Sequence, residues 1–423
     1  MLSKISKTIL ILGFGFPIVI FSWAFDAYAG PAPKCASANC TDPKGCVELR
    51  GGEAVKIATF VPETGENASL AVDVKRGMEL GLHTLNTNKN AIAGNKMNFL
   101  GHPVSFMSFD SGCGDIDTAT LRSTADSIVS DSKTLFTMGT FCSGDALRTL
   151  DIFTDAGLIL ISAANTNPNL TDPAITEPPS FYARLSYNDK VQGQVMANFV
   201  NSTLGADSAA TVDDGGAYGV GLTIAFRANF VGTLAPVKSL SNQTPGQIAS
   251  DLAANPPDVI FFAGNLSSDA IALITAIRAN NAFANTALTF GDSQSGSDFL
   301  AGGNVVEGTY VSTADVSAVT DPEFYTGKFL PTYERKYGES PPVPYHIFAY
   351  DIPHVMAHAA EQVVCRAPGG TDRIGREALY NKLLETTDFQ GLAATYTCNS
   401  SGDCDPDPVI AILKVQNGQF VKQ

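Results

Sequence analysis

The chain has 423 residues, eight of them cysteine, and carries a formal charge of −15 with a pI near 4.7. That acidic balance argues against nucleic acid and anionic membrane as partners. With 44% hydrophobic and only 16% charged residues, it also argues against a disordered chain.

The first residues read as a secretory signal. Lys4 and Lys7 give a basic start, an apolar run extends from Thr8 to about Phe25, and Ala27-Tyr28-Ala29 supplies a small-x-small cleavage pattern. Cys35 follows Pro-Ala-Pro-Lys and not a lipobox, so a lipid anchor is not expected. Cleavage after residue 29 leaves 394 residues, a periplasmic, soluble chain long enough for two lobes. Residues 30–53 are rich in Cys, Pro and Gly and read as a tethered lead-in.

From Ala54 the chain alternates strands and helices. Val55–Val61 reads as a strand and Ala71–Asn86 as an amphipathic helix. Val104–Phe109 is the next strand, Ile116–Ser130 its crossover helix, and Thr134–Phe141 and Leu158–Ser162 two further strands. Ser208–Val212, Asp258–Phe262 and Ala287–Phe290 continue the pattern, and Pro408–Val421 returns to strand and turn, as an edge hairpin would. Regular βα alternation predicts an α/β fold with parallel sheets covered on both faces. The length suits two such sheets.

Eight cysteines in an exported chain should mostly be paired. Cys113 and Cys142 both follow strands that neighbour each other in this scheme, about 5 Å apart, within disulfide reach. Cys398 and Cys404 flank a turn sequence, Asn-Ser-Ser-Gly-Asp, and form a second expected pair. Cys35, Cys40, Cys46 and Cys365 remain, with three connectivities open.

Ligands of open parallel sheets sit beyond the carboxyl ends of strands, where helix N-termini present free N–H groups. Cys142-Ser143-Gly144-Asp145 and Ala163-Ala164-Asn165-Thr166 occupy two such positions, so Ser143 and Thr166 would be hydroxyls facing one crevice. Each also reads as an ordinary helix cap. Asp213 to Gly221 is glycine-rich and follows a strand, yet it lacks the third glycine and the acidic ribose partner of a dinucleotide site. It does place Tyr218 at a strand mouth. Gly291-Asp292-Ser293 does the same for Asp292, a carboxylate fit to pair an ammonium. His354 and His358 share a helical face, but no Glu lies between them as in a zinc hydrolase, so they read as a structural or surface pair. No metal or cofactor is expected.

At these residues the chain resembles the type 1 periplasmic binding proteins, specifically the branched-chain amino acid receptors of ABC importers. The resemblance spans about residues 54–423. It is carried by Phe60–Gly65 through Gly77, Gly139–Ser143, Ile161–Pro168, Asp213–Leu222 with Tyr218, Val305–Thr309, and Tyr345–Asp351. It implies two Rossmann-like lobes joined by three crossovers and closing on a ligand. Lobe one is expected at 54–184 and 312–389, lobe two at 185–311 and 390–423. The Cys113–Cys142 bridge matches one known in that family.

Residue by residue, the resemblance gives Ser143 and Thr166 the α-carboxylate and Ala164 a backbone contact, beside Cys142. Tyr218 is an aromatic added by lobe two. Leu70 stands where many relatives carry Tyr, and Asn265 where an aromatic often sits. The ammonium-binding carboxylate aligns at Ser293, with Asp292 one position earlier. The implied function is capture of a small amino acid, aliphatic or branched-chain, or a related carboxylate or amide. Delivery would be to an ABC permease and its ATPase, by a monomeric, non-enzymatic protein. A ligand-sensing receptor subunit of the same fold is the alternative, and a secreted hydrolase using Ser293 the enzyme alternative.

Overall fold

A computed structural model describes residues 32–85, 97–176, 180–404 and 408–423. The expected signal segment lies outside the described residues. Two sheets organise the chain, each built from strands that the sequence marks by apolar, β-branched runs.

The first sheet has six strands in the order Asn98–Phe99, His102–Asp110, Val55–Val61, Thr134–Gly139, Ile159–Ser162 and Tyr182–Arg184. All pairings are parallel except that of the short first strand with its neighbour. The second runs Lys238–Ser239, Ser208–Asp213, Val259–Ala263, Ala287–Phe290 and Tyr310–Ala314, all parallel. Ile410–Gln416 and Gln419–Lys422 then add an antiparallel edge hairpin. The central strands Thr134–Gly139 and Val259–Ala263 are buried throughout, as strands covered on both faces must be.

In the first sheet His102–Asp110 lies on one side of Val55–Val61 and Thr134–Gly139 on the other. The second sheet repeats this around Ser208–Asp213. Each sheet therefore has a switch point, where neighbouring crossovers depart to opposite faces and leave a crevice at the strand ends.

The chain crosses between sheets after Arg184, after Ala314 and between Cys404 and Ile410. Two of these differ from the expected boundaries at 312 and 390. Strand Tyr310–Ala314 pairs wholly within the second sheet. Residues 389–404 pack on the first, because the buried Asp351 carboxylate accepts the N–H groups of Leu392 (2.6 Å) and Ala393 (2.7 Å) and the hydroxyl of Tyr396 (2.8 Å).

Helix Ala68–Thr84 lies against helix His346–Glu361 closely enough to require glycine. A Cβ on Gly77 would meet the His346 carbonyl oxygen at 2.3 Å, and one on Gly81 the Tyr350 oxygen at 2.4 Å.

The four cysteines left open pair as Cys35–Cys365 and Cys40–Cys46, and the two expected bridges, Cys113–Cys142 and Cys398–Cys404, are present. The lead-in is thus stapled to the body, and its strand Cys46–Leu49 pairs with Thr371–Gly375. Cys113 and Cys142 have Cα atoms 5.3 Å apart, and the bridge closes a 29-residue separation. On a chain-entropy basis it stabilises by roughly 3–4 kcal/mol. The double variant Cys113→Ser/Cys142→Ser should lose about that much in a reversible urea titration. A wild-type midpoint shared by the variant would show that the bridge constrains nothing.

Candidate functional site

A small cleft lies where the two switch points face each other, with about 260 Å³ of empty space including its mouth. Phe141, Cys142, Ser143 and Ala164 line it from the first sheet, Tyr218, Asn265, Asp292 and Ser293 from the second, and Tyr345 from the start of helix His346–Glu361. Six expected residues are therefore brought together: Cys142, Ser143, Ala164, Tyr218, Asn265 and Asp292. Thr166 and Leu70 are not among the lining residues. Thr166 is buried, and its carbonyl accepts the Asp189 N–H at 2.9 Å. Leu70 is buried in the first core, so close to Gly296 that a Cβ there would come within 2.7 Å of it.

The loops of the first sheet are held from below. Ser143 opens helix Ser143–Ala156, and the bridge to Cys113 fixes the residue before it. The buried Asp145 accepts the Cys113 N–H (3.0 Å) and pairs with Arg148 (2.5 Å). Ser162 Oγ accepts the N–H groups of Ala164 (3.1 Å) and Asn165 (2.9 Å), so the Ala164 N–H already has a partner. Arg184 is fully buried and donates to the carbonyls of Asn165 (3.3 Å) and Asn167 (2.8 Å), to Thr171 (2.6 Å) and to Asp403 (2.5 Å). A rigid loop results, with Ser143 Oγ accepting the Asn167 N–H at 3.3 Å and its own proton free to turn toward the cleft.

On the second sheet the glycine-rich segment is only partly a turn. The turn ends at Gly216 and the helix runs Ala217–Asn229, so Tyr218 lies in its first turn. Gly219 must lack a side chain there, because a Cβ would approach both the Ala263 oxygen and Asp214 Oδ1 at 2.5 Å.

Asp292, 2% exposed, is the centre of the site. Oδ1 accepts from the hydroxyl of Tyr218 (2.5 Å) and the amide of Gln192 (3.0 Å). Oδ2 accepts from the hydroxyls of Tyr187 (3.1 Å) and Tyr345. Burial, and then the nearby Asp292 charge, push all three tyrosine hydroxyls well above their ordinary range, so they remain protonated donors. A hydroxyl that spends its proton on Asp292 keeps only lone pairs to offer. The tyrosines therefore relay the carboxylate's negative character, presenting acceptors that suit an ammonium.

Tyr345, Tyr187, Gln192 and Phe141 were not singled out in the sequence, nor was Asp189. Asp189 opens helix Asp189–Ser202 and is fully buried, with both carboxyl oxygens unpartnered among the described residues. Its position after strand Tyr182–Arg184, at another strand mouth, was the available signal. Burial, then the charge of Asp292, hold its carboxyl well above the usual range.

Three polar contacts cross the cleft mouth. Glu66 accepts the N–H (2.9 Å) and hydroxyl (2.7 Å) of Ser268, in the first turn of helix Ser267–Arg278. Ser69 donates to Asp298 (2.5 Å), and Asn167 Nδ2 to the Ala217 carbonyl (2.5 Å). The histidine pair takes other partners: His354 bonds the Tyr350 carbonyl and Thr84, and His358 packs at a tilt against Phe389. Among the described residues no group of three or more His, Cys, Asp or Glu side chains is placed to hold a metal.

Residues 54–419 match the family described as Periplasmic binding protein. The chain belongs to that family. Its fold is a type 1 periplasmic binding protein, and the family is one of solute-binding proteins. An amino acid binding protein of Pseudomonas aeruginosa is 25% identical over 229 residues, 53% of this chain and 57% of its own length. The matched stretch is therefore only about half of that relative. The Leu/Ile/Val-binding protein BraC3 of Rhizobium johnstonii is 26% identical over 276 residues, 64% of this chain and 70% of its own. Among solved structures, a leucine binding protein LivK of Thermotoga maritima aligns with a TM-score of 0.72 at 22% identity, covering 88% of this chain and 98% of that one. A Rhodopseudomonas palustris solute binding protein in complex with benzoate aligns at 0.68 and 18%, covering 87% and 95%. These likenesses show the fold.

A carboxyl kept protonated in the fold costs stability as pH rises above its unfolded value, near 3.9, toward its folded one. Asp189→Asn removes that cost. The variant's melting midpoint, in protein refolded without ligand, should exceed that of wild type increasingly from pH 4 to pH 8. A gap independent of pH would show that Asp189 is not neutral in the fold.

Proposed function

We propose that this protein is an exported receptor that captures a small α-amino acid between its two lobes and hands it to an ABC permease and its ATPase as a monomer. Cleavage near residue 29 would release it to the periplasm. The observation that carries the reading is the pairing of opposite polarities across one small cleft. Ser143 and the first turn of its helix suit a carboxylate, through a hydroxyl donor and the positive end of the helix dipole. Opposite them, the Tyr218, Tyr345 and Asp292 cluster offers acceptors backed by a negative charge, suited to the ammonium. The Ala164 carbonyl is the backbone group left for a further contact, since its N–H is bound to Ser162.

The amino acid and Leu/Ile/Val-binding relatives support an amino acid over other solutes. The mouth contacts support closure as the step that completes the site. Ligand held on lobe one would favour the closed state, because only that state adds Tyr218 and Asp292. Glu66 contributes to the same equilibrium, for helix Ser267–Arg278 has Leu266 at its N-cap and no capping side chain of its own.

A thermal-shift screen of refolded protein against the twenty amino acids and simple carboxylates tests the reading. At about 1,000 times its Kd a ligand adds roughly 4 kcal/mol, a plainly raised midpoint. Response to carboxylates without an ammonium, and to no amino acid, would refute the polarity argument. Ser143→Ala should weaken the bound amino acid about 10- to 100-fold, the range of a lost hydrogen bond to a charged group, with the melting midpoint little changed. Glu66→Ala should weaken it about fivefold, the size of a lost helix cap, mainly through faster release in stopped-flow measurements. An unaltered off-rate would remove Glu66 from the closing step.

A further inference from the structure

The aliphatic side chain implied by the resemblance meets a wall of unsuitable chemistry. Asn265 lines the cleft on the lobe-two side, beside Ser293, and is only half-buried. Its carboxamide has no hydrogen-bond partner among the described residues, although it carries two donors and one acceptor. The loop that carries it is fixed. Its backbone N–H donates to Asp214 Oδ2 (2.8 Å), and Asp214 Oδ1 accepts the Gly216 N–H (2.8 Å). One half-buried carboxyl thus ties the Asn265 loop to the turn before Tyr218, and both strand ends of the second switch point are fixed together.

Apolar side chains at the cleft are few. Phe141 packs edge-to-face with Tyr345, ring centroids 5.7 Å apart, and this pair with Ala164 and the Cys142 bridge forms the other side. An aliphatic ligand filling the remaining space would strip water from Asn265 without replacing its hydrogen bonds, a cost that a polar ligand of the same shape avoids. An acidic ligand side chain would instead add negative charge beside Asp214, which holds the Asn265 N–H, and near Glu66 on Ser268.

We propose that Asn265 and Ser293 form a polar side-chain subsite, and that the ligand is a small α-amino acid whose side chain ends in a neutral hydroxyl or amide. The inference rests on the amino-acid reading above and narrows it. Asn265 is its specificity-determining residue.

Calorimetric titration with two near-isosteric pairs, threonine with valine and asparagine with leucine, tests it on the wild-type protein after denaturation and refolding to remove carried ligand. The polar member of at least one pair should bind ten times or more tighter than its aliphatic partner. Asn265→Leu should shrink that ratio to near unity or invert it, with circular dichroism and the melting midpoint confirming the fold. Tighter binding of valine or leucine by wild type, or an unchanged ratio in Asn265→Leu, would overturn the subsite while leaving the amino-acid reading intact. Binding of none of the twenty amino acids would overturn both.

Discussion

One buried carboxylate sets the terms for this molecule. Asp292 takes four donors from three parts of the chain: Tyr187 and Gln192 near the first crossing between sheets, Tyr218 on the second sheet, and Tyr345 at the head of a helix of the first. A carboxylate removed from water is tolerable only when its lone pairs are satisfied. Meeting that demand requires both lobes at once, since Tyr218 and Tyr345 approach from opposite sides. The electrostatics of the cleft and the relation of the lobes are therefore one problem with one solution.

The two faces of the cleft divide the work differently. The first-sheet loops are rigid before any ligand arrives, held by the Cys113–Cys142 bridge, Ser162 and the buried Arg184. Such preorganisation keeps the ordering cost of binding low. The second-sheet face is tied internally by Asp214 and, besides the Tyr345–Asp292 bond, reaches the first through polar contacts at the mouth, among them Glu66 on Ser268 and Ser69 on Asp298. Polar, partly exposed contacts of this kind exchange readily with water, which suits a joint that must open.

Much of the site was legible because strand mouths are. A β-rich run followed at once by small or acidic residues marks the end of a strand, and in a parallel sheet those ends converge. That logic found Ser143, Tyr218 and Asp292, while the resemblance to a family pointed to Ala164 and Asn265. Thr166 follows the same local pattern, yet its carbonyl is spent on the Asp189 N–H and the residue is covered. Tyr187, Gln192 and Tyr345 carry no local mark at all. They matter because they reach Asp292 from 105, 100 and 53 residues away along the chain.

The amino-acid order alone determined the α/β class, the doubling of the sheet, and the Cys113–Cys142 and Cys398–Cys404 bridges. Periodicity, turn chemistry and strand-end composition are written within a few neighbouring residues. Tertiary structure decided the partners of Cys35 and Cys40, the places where the chain crosses between lobes, and the donors that close around Asp292. Those outcomes depend on which segments a finished sheet brings within 3 Å of each other. No window of sequence contains that distance.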